Sequence, residues 1–226
     1  MRILAVETAT LAGSVALLDG DRIVGESLLD VALTHSERLM AMVDRLLADC
    51  GWDAARLEGL AVSIGPGSFT GLRVGVATVK GLALALEIPI AAVPTLDGLA
   101  ANLPFAAAPV CPLLDARKNE VYLSLYEWGG AEMERRWDYL ALAPRAAAER
   151  LTGPVIVVGD GVASCLPFLD RLGAGLGVAP PSHSRPFAAV IGRLGLGRLR
   201  DGLAVPAESL APLYVRPSEA ELAARR

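Results

Sequence analysis

Histidine occurs twice (His35, His183), lysine twice (Lys80, Lys118) and cysteine three times, and aromatic residues make up 5% of the 226 residues. Each scarcity removes a class of function. Neither histidine sits at His-x3-His spacing or beside a cysteine pair, so no metal centre assembles from local motifs and none is expected. His35 reads as a solvated or locally hydrogen-bonded imidazole, and His183 has no companion carboxylate or cysteine in sequence reach. Cys50, Cys111 and Cys165 are odd in number and far apart, which excludes a disulfide framework and fits buried fillers in a reducing compartment. No uninterrupted apolar run reaches about 18 residues, and the opening MRILAVETAT has no apolar stretch leading to a small-residue cleavage site. A cytoplasmic protein with no membrane segment is expected. The basic residues are scattered and the net charge is −4, so no electrostatic footprint supports tight nucleic-acid binding by this chain alone. A G-x-S-x-G nucleophile elbow is also missing.

Apolar residues are plentiful. At 53% hydrophobic and 20% charged, against about 45–50% and about 25% for an average globular chain, the surface is expected to carry more apolar area than one monomer needs, hence a partner. The length fits one large domain or two small lobes. Residues 2–6, 13–19 and 22–29 read as three strands, the last two joined by a tight turn at Gly20-Asp21. Thr34-His35-Ser36-Glu37 matches a capping box, and Leu39, Val43, Leu46 and Cys50 follow at helical spacing up to Gly51, which predicts an amphipathic helix over 35–50. A strand over 57–64 runs into the glycine loop 65–71 and then into a helix ending near Glu87; strand 90–94 and a helix from Thr95 to about Leu103 follow. The segment Pro104 to Pro109 reads as a boundary between a first lobe, 1–106, and a second, 107–226, with the final segment able to pack back on the first. The second lobe is predicted to hold strands near 110–115, 120–128, 132–140 and 154–158, and helices over 144–150, 162–172 and 187–200.

Two stretches invite chemistry. The loop Gly65-Pro66-Gly67-Ser68-Phe69-Thr70-Gly71 lies between a strand and a helix N-terminus, where free N–H groups and the helix dipole can hold an anion. It matches neither G-x-x-x-x-G-K-[ST] nor G-x-G-x-x-G, so a structural turn and a phosphate cradle both stand, with Glu7, Gly65, Gly67 and Ser68 as the candidate cofactor residues. In the helix that follows, the charges Arg73, Lys80 and Glu87 are spaced by seven and occupy one narrow stripe, while nearly every other position is apolar or tiny. Such a helix must be covered on two sides. It is either sandwiched inside its own chain or finished by a partner helix that Gly71, Gly75, Gly81, Ala77, Ala83 and Ala85 let approach closely. Met40 and Met42 add adaptable apolar surface nearby. The charged turn Asp115–Glu120 and the turn Gly159-Asp160-Gly161 read either as solvated turns or as the edges of a cleft.

Taken together, Ile3–Thr10, Thr34–Glu37 and above all Ser63–Gly75, with the ending Leu213–Pro217, resemble the TsaB family, the small subunit of the bacterial machinery that makes threonylcarbamoyladenosine in tRNA. The resemblance implies an α/β, actin-like ATPase fold (ASKHA, ribonuclease H-like) of two lobes, the second smaller and degenerate. It implies a non-catalytic scaffold that binds TsaD, is joined by TsaE, pairs with a second copy of itself when TsaD is absent, and meets tRNA only through the complex. The reaction supported is formation of N6-threonylcarbamoyladenosine at position 37 of tRNA, with ATP or ADP at the interface with TsaD. The helices near 35–50 and 70–87 would supply the interface, through His35, Arg38, Leu39, Met42, Gly71, Val74, Gly75, Thr78 and Leu82. The first strand ends in Glu7 where many relatives carry Asp. The rival reading is an independent actin-fold ATPase or phosphotransferase using Glu7 and the glycine loop.

Overall fold

The computed structural model describes residues 1–31 and 35–216; Thr34 of the capping box and Pro217 lie outside them. Residues Met1–Gly98 and Arg185–Pro212 form one compact unit, and Leu99–Ser184 with the described chain from Leu213 onward form another.

The first unit is built on a five-stranded sheet in the order β3-β2-β1-β4-β5, from β1 (Arg2–Glu7), β2 (Gly13–Asp19), β3 (Arg22–Leu29), β4 (Gly59–Gly65) and β5 (Ile90–Pro94). The tight turn at Gly20, with φ 59°, makes β2 and β3 antiparallel neighbours; β1 pairs antiparallel with β2 and parallel with β4, and β4 runs parallel to β5. Alternation along β1 divides the core in two. Leu4 and Val6 join Val15, Leu17, Leu60 and Val62 under helices α1 (His35–Asp49) and α2 (Phe69–Leu86). Ile3 and Ala5 join Ala16, Leu18, Ala61, Ala91 and Val93 under α6 (Ala188–Arg200). The second face is lined by alanines because α6 comes close: a Cβ on Gly195 would sit 2.5 Å from Ala61 Cβ, and one on Gly192 would strike Leu18 Cδ1.

Both ends of α6 are tied to this sheet. Ser14 Oγ accepts the Ala188 N–H and Glu26 Oε1 the Ala189 N–H, each at 2.9 Å, filling the orphan donors of the first turn. At the other end Arg198 donates to the Ala92 carbonyl at 3.0 Å and pairs with Asp97 at 3.4 Å. The change of unit falls at Gly98/Leu99, inside the region of α3 (Thr95–Ala100), where 106/107 was expected. The segment that packs back on the first unit is Arg185–Pro212, whose α6 sets its glycine face on the alanine face of the first sheet.

The second unit carries β6 (Val110–Arg117), β7 (Glu120–Leu123), β8 (Tyr126–Trp128), β9 (Met133–Arg135), β10 (Leu140–Leu142), α4 (Pro144–Arg150), β11 (Val155–Val158), α5 (Val162–Leu169) and β12 (Leu176–Val178). Its main path is β10-β7-β6-β11-β12, with β8 joined to β6 and β9. The two long strands predicted over 120–128 and 132–140 are each split. β7 pairs with the far end of β6 while Tyr126 of β8 pairs with Val110, and the kink between them is held by Ser124 Oγ donating to the Trp137 carbonyl at 2.7 Å. All three cysteines are free, with Cys111 and Cys165 in the second core, where burial pushes both thiols up. Gly195→Val should lower stability by about 1–3 kcal/mol through overpacking against Ala61, read from the urea midpoint at unchanged slope.

Candidate partner-docking face

α2 begins at Ser68, whose side chain accepts the Gly71 N–H at 3.3 Å as an N-cap. Inward it buries Gly71, Leu72, Gly75, Val76, Val79 and Ala83. Outward it exposes Phe69, Thr70, Arg73, Ala77, Gly81, Leu84 and Ala85, with Leu84 64% exposed. The Arg73 guanidinium lies 3.8 Å from the Phe69 ring centroid, shielding that ring by a cation–π contact. By length and mean hydropathy of 1.4 the helix would pass for a bilayer span, but a third of it is buried, and it packs on β4. α1 is more conventional: Leu39, Met42, Val43, Leu46 and Leu47 point into the core, and Met40, 44% exposed, and Ala41 lie outside.

The residues predicted for the interface divide accordingly. Arg38, Leu39, Met42, Gly71 and Gly75 are buried in their own unit, while His35, Val74, Thr78 and Leu82 are half-buried. The two glycines make room for the chain itself. A Cβ on Gly71 would strike the Thr8 carbonyl and one on Gly75 the Thr8 hydroxyl, whereas a Cβ on Gly81 would meet nothing within 4 Å. Of the outward stripe, Ala77, Gly81 and Ala85 were among the small residues expected to admit a partner helix, and Met40 was expected nearby, while Leu84 and Phe69 were missed. The stripe lies opposite Leu72, Val76, Val79 and Ala83, so helical phase would have found it once one inward residue was known.

The cofactor candidates are brought together at the carboxyl ends of β1 and β4, where several of their polar groups are engaged by neighbouring residues. Glu7 is 1% exposed; its Oε1 accepts the Ala9 N–H at 2.6 Å and the Ser63 hydroxyl at 3.1 Å. The Gly65 N–H donates to Thr95 Oγ1 at 3.1 Å and the Ser68 N–H to the Ala9 carbonyl at 2.7 Å. Gly67 is pressed so close to Ala9 that a Cβ would strike its carbonyl. A phosphate cradle needs free donors, and two that this loop could offer, on Gly65 and Ser68, are spent on Thr95 and Ala9, with Gly67 packed on the β1–β2 connection. His183 lies in the second unit, exposed, with its Nδ1 3.0 Å from Ser182 Oγ.

The two helix glycines make opposite predictions for one chemical change. Gly81→Ala should raise the melting temperature, since alanine favours an exposed helix interior by about 0.5–1 kcal/mol. Gly75→Ala should lower it despite the same gain, because its methyl meets Thr8; thermal unfolding of the two variants side by side is the measurement.

Comparison with known proteins places this geometry. Residues 30–151 match the family model of TsaD, described as tRNA N6-adenosine threonylcarbamoyltransferase. The chain is 32% identical to the tRNA threonylcarbamoyladenosine biosynthesis protein TsaB of Bacillus subtilis (strain 168), over 98% of this chain and 96% of that protein. The structure of YeaZ from Pseudomonas aeruginosa is similar at 31% identity with a TM-score of 0.80, covering 94% of this chain and 99% of that one. Component A of (R)-2-hydroxyglutaryl-CoA dehydratase from Acidaminococcus fermentans, at 10% identity and a TM-score of 0.52, shares the fold alone, which is that of the actin-like ATPases. With a relative matched end to end at this identity, and with the glycine turn and the two helices it positions in place, the chain belongs to the TsaB family.

Proposed function

We propose that this chain is a cytoplasmic scaffold subunit that binds TsaD and supports it in forming N6-threonylcarbamoyladenosine at position 37 of tRNA, without chemistry of its own. The observation that carries the reading is the outer face of α2, a run of small and apolar side chains through Ala77, Gly81, Leu84 and Ala85 left exposed by the chain's own core. Small residues let a partner helix approach to 8–10 Å between axes. An ordinary interface of about 1,600 Å², at about 25 cal/mol per Å² of apolar area, supplies ample gross drive. The same face would pair two copies when TsaD is absent, so dimer and heterodimer compete. In this reading TsaE and tRNA join through the assembled complex, and ATP or ADP sits at the interface with TsaD. The ATPase alternative draws little support from a Glu7 that is buried and engaged by Ala9 and Ser63.

Leu84→Glu and Gly81→Arg place a charge on the outer face at positions with no packing to disturb. Neither is expected to lower the melting temperature, and Gly81→Arg should raise it as Gly81→Ala does; each is expected to weaken TsaD binding in calorimetry by tenfold or more, which is about 1.4 kcal/mol, and to abolish modified adenosine in a reconstituted reaction. Wild-type binding by both folded variants overturns the docking face. Steady ATP hydrolysis by the isolated chain that is lost in Glu7→Gln overturns the non-catalytic role.

A further inference from the structure

His35, the first residue of α1, is half-buried where three other segments of the first unit meet. Its Nε2 lies 2.8 Å from the Thr10 carbonyl oxygen, which only accepts, so Nε2 carries the hydrogen. Its Nδ1 lies 3.3 Å from Arg38 Nη2, which only donates, so Nδ1 offers its lone pair. Geometry therefore holds the ring as the neutral Nε2–H tautomer. A Cβ on Gly13 would sit 2.8 Å from the ring's Nδ1 and one on Gly71 3.1 Å from its Cδ2, so β2 and α2 both close on it.

Arg38 is 6% exposed. Its Nη2 also donates to the Leu11 carbonyl at 2.9 Å and its Nη1 to the Val31 carbonyl at 3.2 Å, while its buried Nε has no partner. Among the described residues no carboxylate pairs with this guanidinium. One buried cation and one neutral imidazole thus tie two connections to α1: the β1–β2 loop, through Thr10 and Leu11, and the segment after β3, through Val31. The side chains those carbonyls belong to are outside, Leu11 71% and Val31 46% exposed.

We propose that His35 and Arg38 form a proton-operated latch, which holds the β1–β2 loop and the Val31 carbonyl on α1 while His35 is neutral and releases them, with the exposed side chains of Leu11 and Val31, when His35 is protonated. Protonation turns Nδ1 into a donor facing a donor and sets a second positive charge 3.3 Å from Arg38. Among the described residues, none of the groups packed on the ring carries an offsetting negative charge. The β1–β2 loop offers the ring only the Thr10 carbonyl, and β2 and α2 offer Gly13 and Gly71, none of which titrates. Glu37 on α1 is exposed two positions along, a spacing at which helical side chains do not face each other. Burial first, and Arg38 after it, hold His35 below the ordinary histidine value against the opposing pull of the Thr10 carbonyl. As pH falls below about 6.5 the unfolded chain takes its proton first. The latch therefore contributes its full stability above that pH and loses it progressively below.

The latch is a property of the isolated chain, so its failure leaves the docking face standing, and the converse. With two histidines in the whole sequence, imidazole NMR assigned with His35→Gln reads the titration directly. The expected result is a His35 midpoint below about 6.5, with the backbone amide shifts of Thr10, Leu11, Ala12 and Val31 moving along the same curve. In His35→Gln, whose amide can still donate to Thr10, those shifts stay flat over that range. A midpoint at or above the ordinary value, loop amides that do not follow His35, or an unchanged pH response in the glutamine variant each overturns the latch. Should the variant fail to fold, the wild-type titration and its coupling to the loop amides decide alone.

Discussion

The close approach of α2 to the end of β1, at Gly71 and Gly75 against Thr8, fixes the orientation of the face proposed for docking. Only hydrogen fits at positions 71 and 75, because Thr8 occupies the space a side chain would need. A helix pinned in this way near its N-terminus cannot roll about its axis. Leu72, Val76, Val79 and Ala83 must then face the strands, and the residues half a turn away, Ala77, Gly81 and Leu84, must face out. The two glycines, buried against Thr8, therefore act on the proposed docking face through the helix they fix.

The opposite side of the same sheet shows a second use of small residues. There the alanines of β1, β2, β4 and β5 meet Gly192 and Gly195 of α6, a helix that follows the whole second unit in the chain. Close packing makes this long-range contact specific, since few helices in the sequence present glycine at a three-residue spacing on an otherwise apolar face. Ser14 and Glu26 complete the recognition by capping the two N–H groups that begin α6. Glu26 does so partly desolvated, and its carboxyl is pushed up by burial more than the two backbone donors bring it down.

Much of this was legible in the residues. Period-two alternation in ILAVE, the turn at Gly20-Asp21 and the helical spacing of Leu39, Val43 and Leu46 are local signals, and the elements they predict are present. The glycine loop read as a turn with a phosphate cradle as the alternative, since whether the Gly65 and Ser68 N–H groups are spent depends on Thr95 and Ala9, partners about thirty and sixty residues away in sequence. The same limit hid the difference between Gly75 and Gly81. Both look like invitations to a neighbouring helix, and only the fold shows that the neighbour of Gly75 is Thr8. The split of the second unit's strands escaped for a related reason: Ser124 and Leu125 continue an apolar strand pattern, and the break arises because β7 and β8 find separate stretches of β6.

Charge on the outer face of α2 is sparse but ordered. Arg73 and Glu87 are exposed, the Arg73 guanidinium lies over the Phe69 ring and Lys80 reaches the Glu208 carbonyl at 3.5 Å. Exposed charges of this kind add little to affinity on their own, yet they bias encounter and register. Small side chains between them permit close helix–helix contact, where dispersion and apolar burial accumulate. In the proposed docking mode Ala77, Gly81 and Leu84 would supply the area a partner covers and Arg73 and Lys80 would bias its register, while Thr8, through Gly71 and Gly75, fixes the orientation of the helix that bears them.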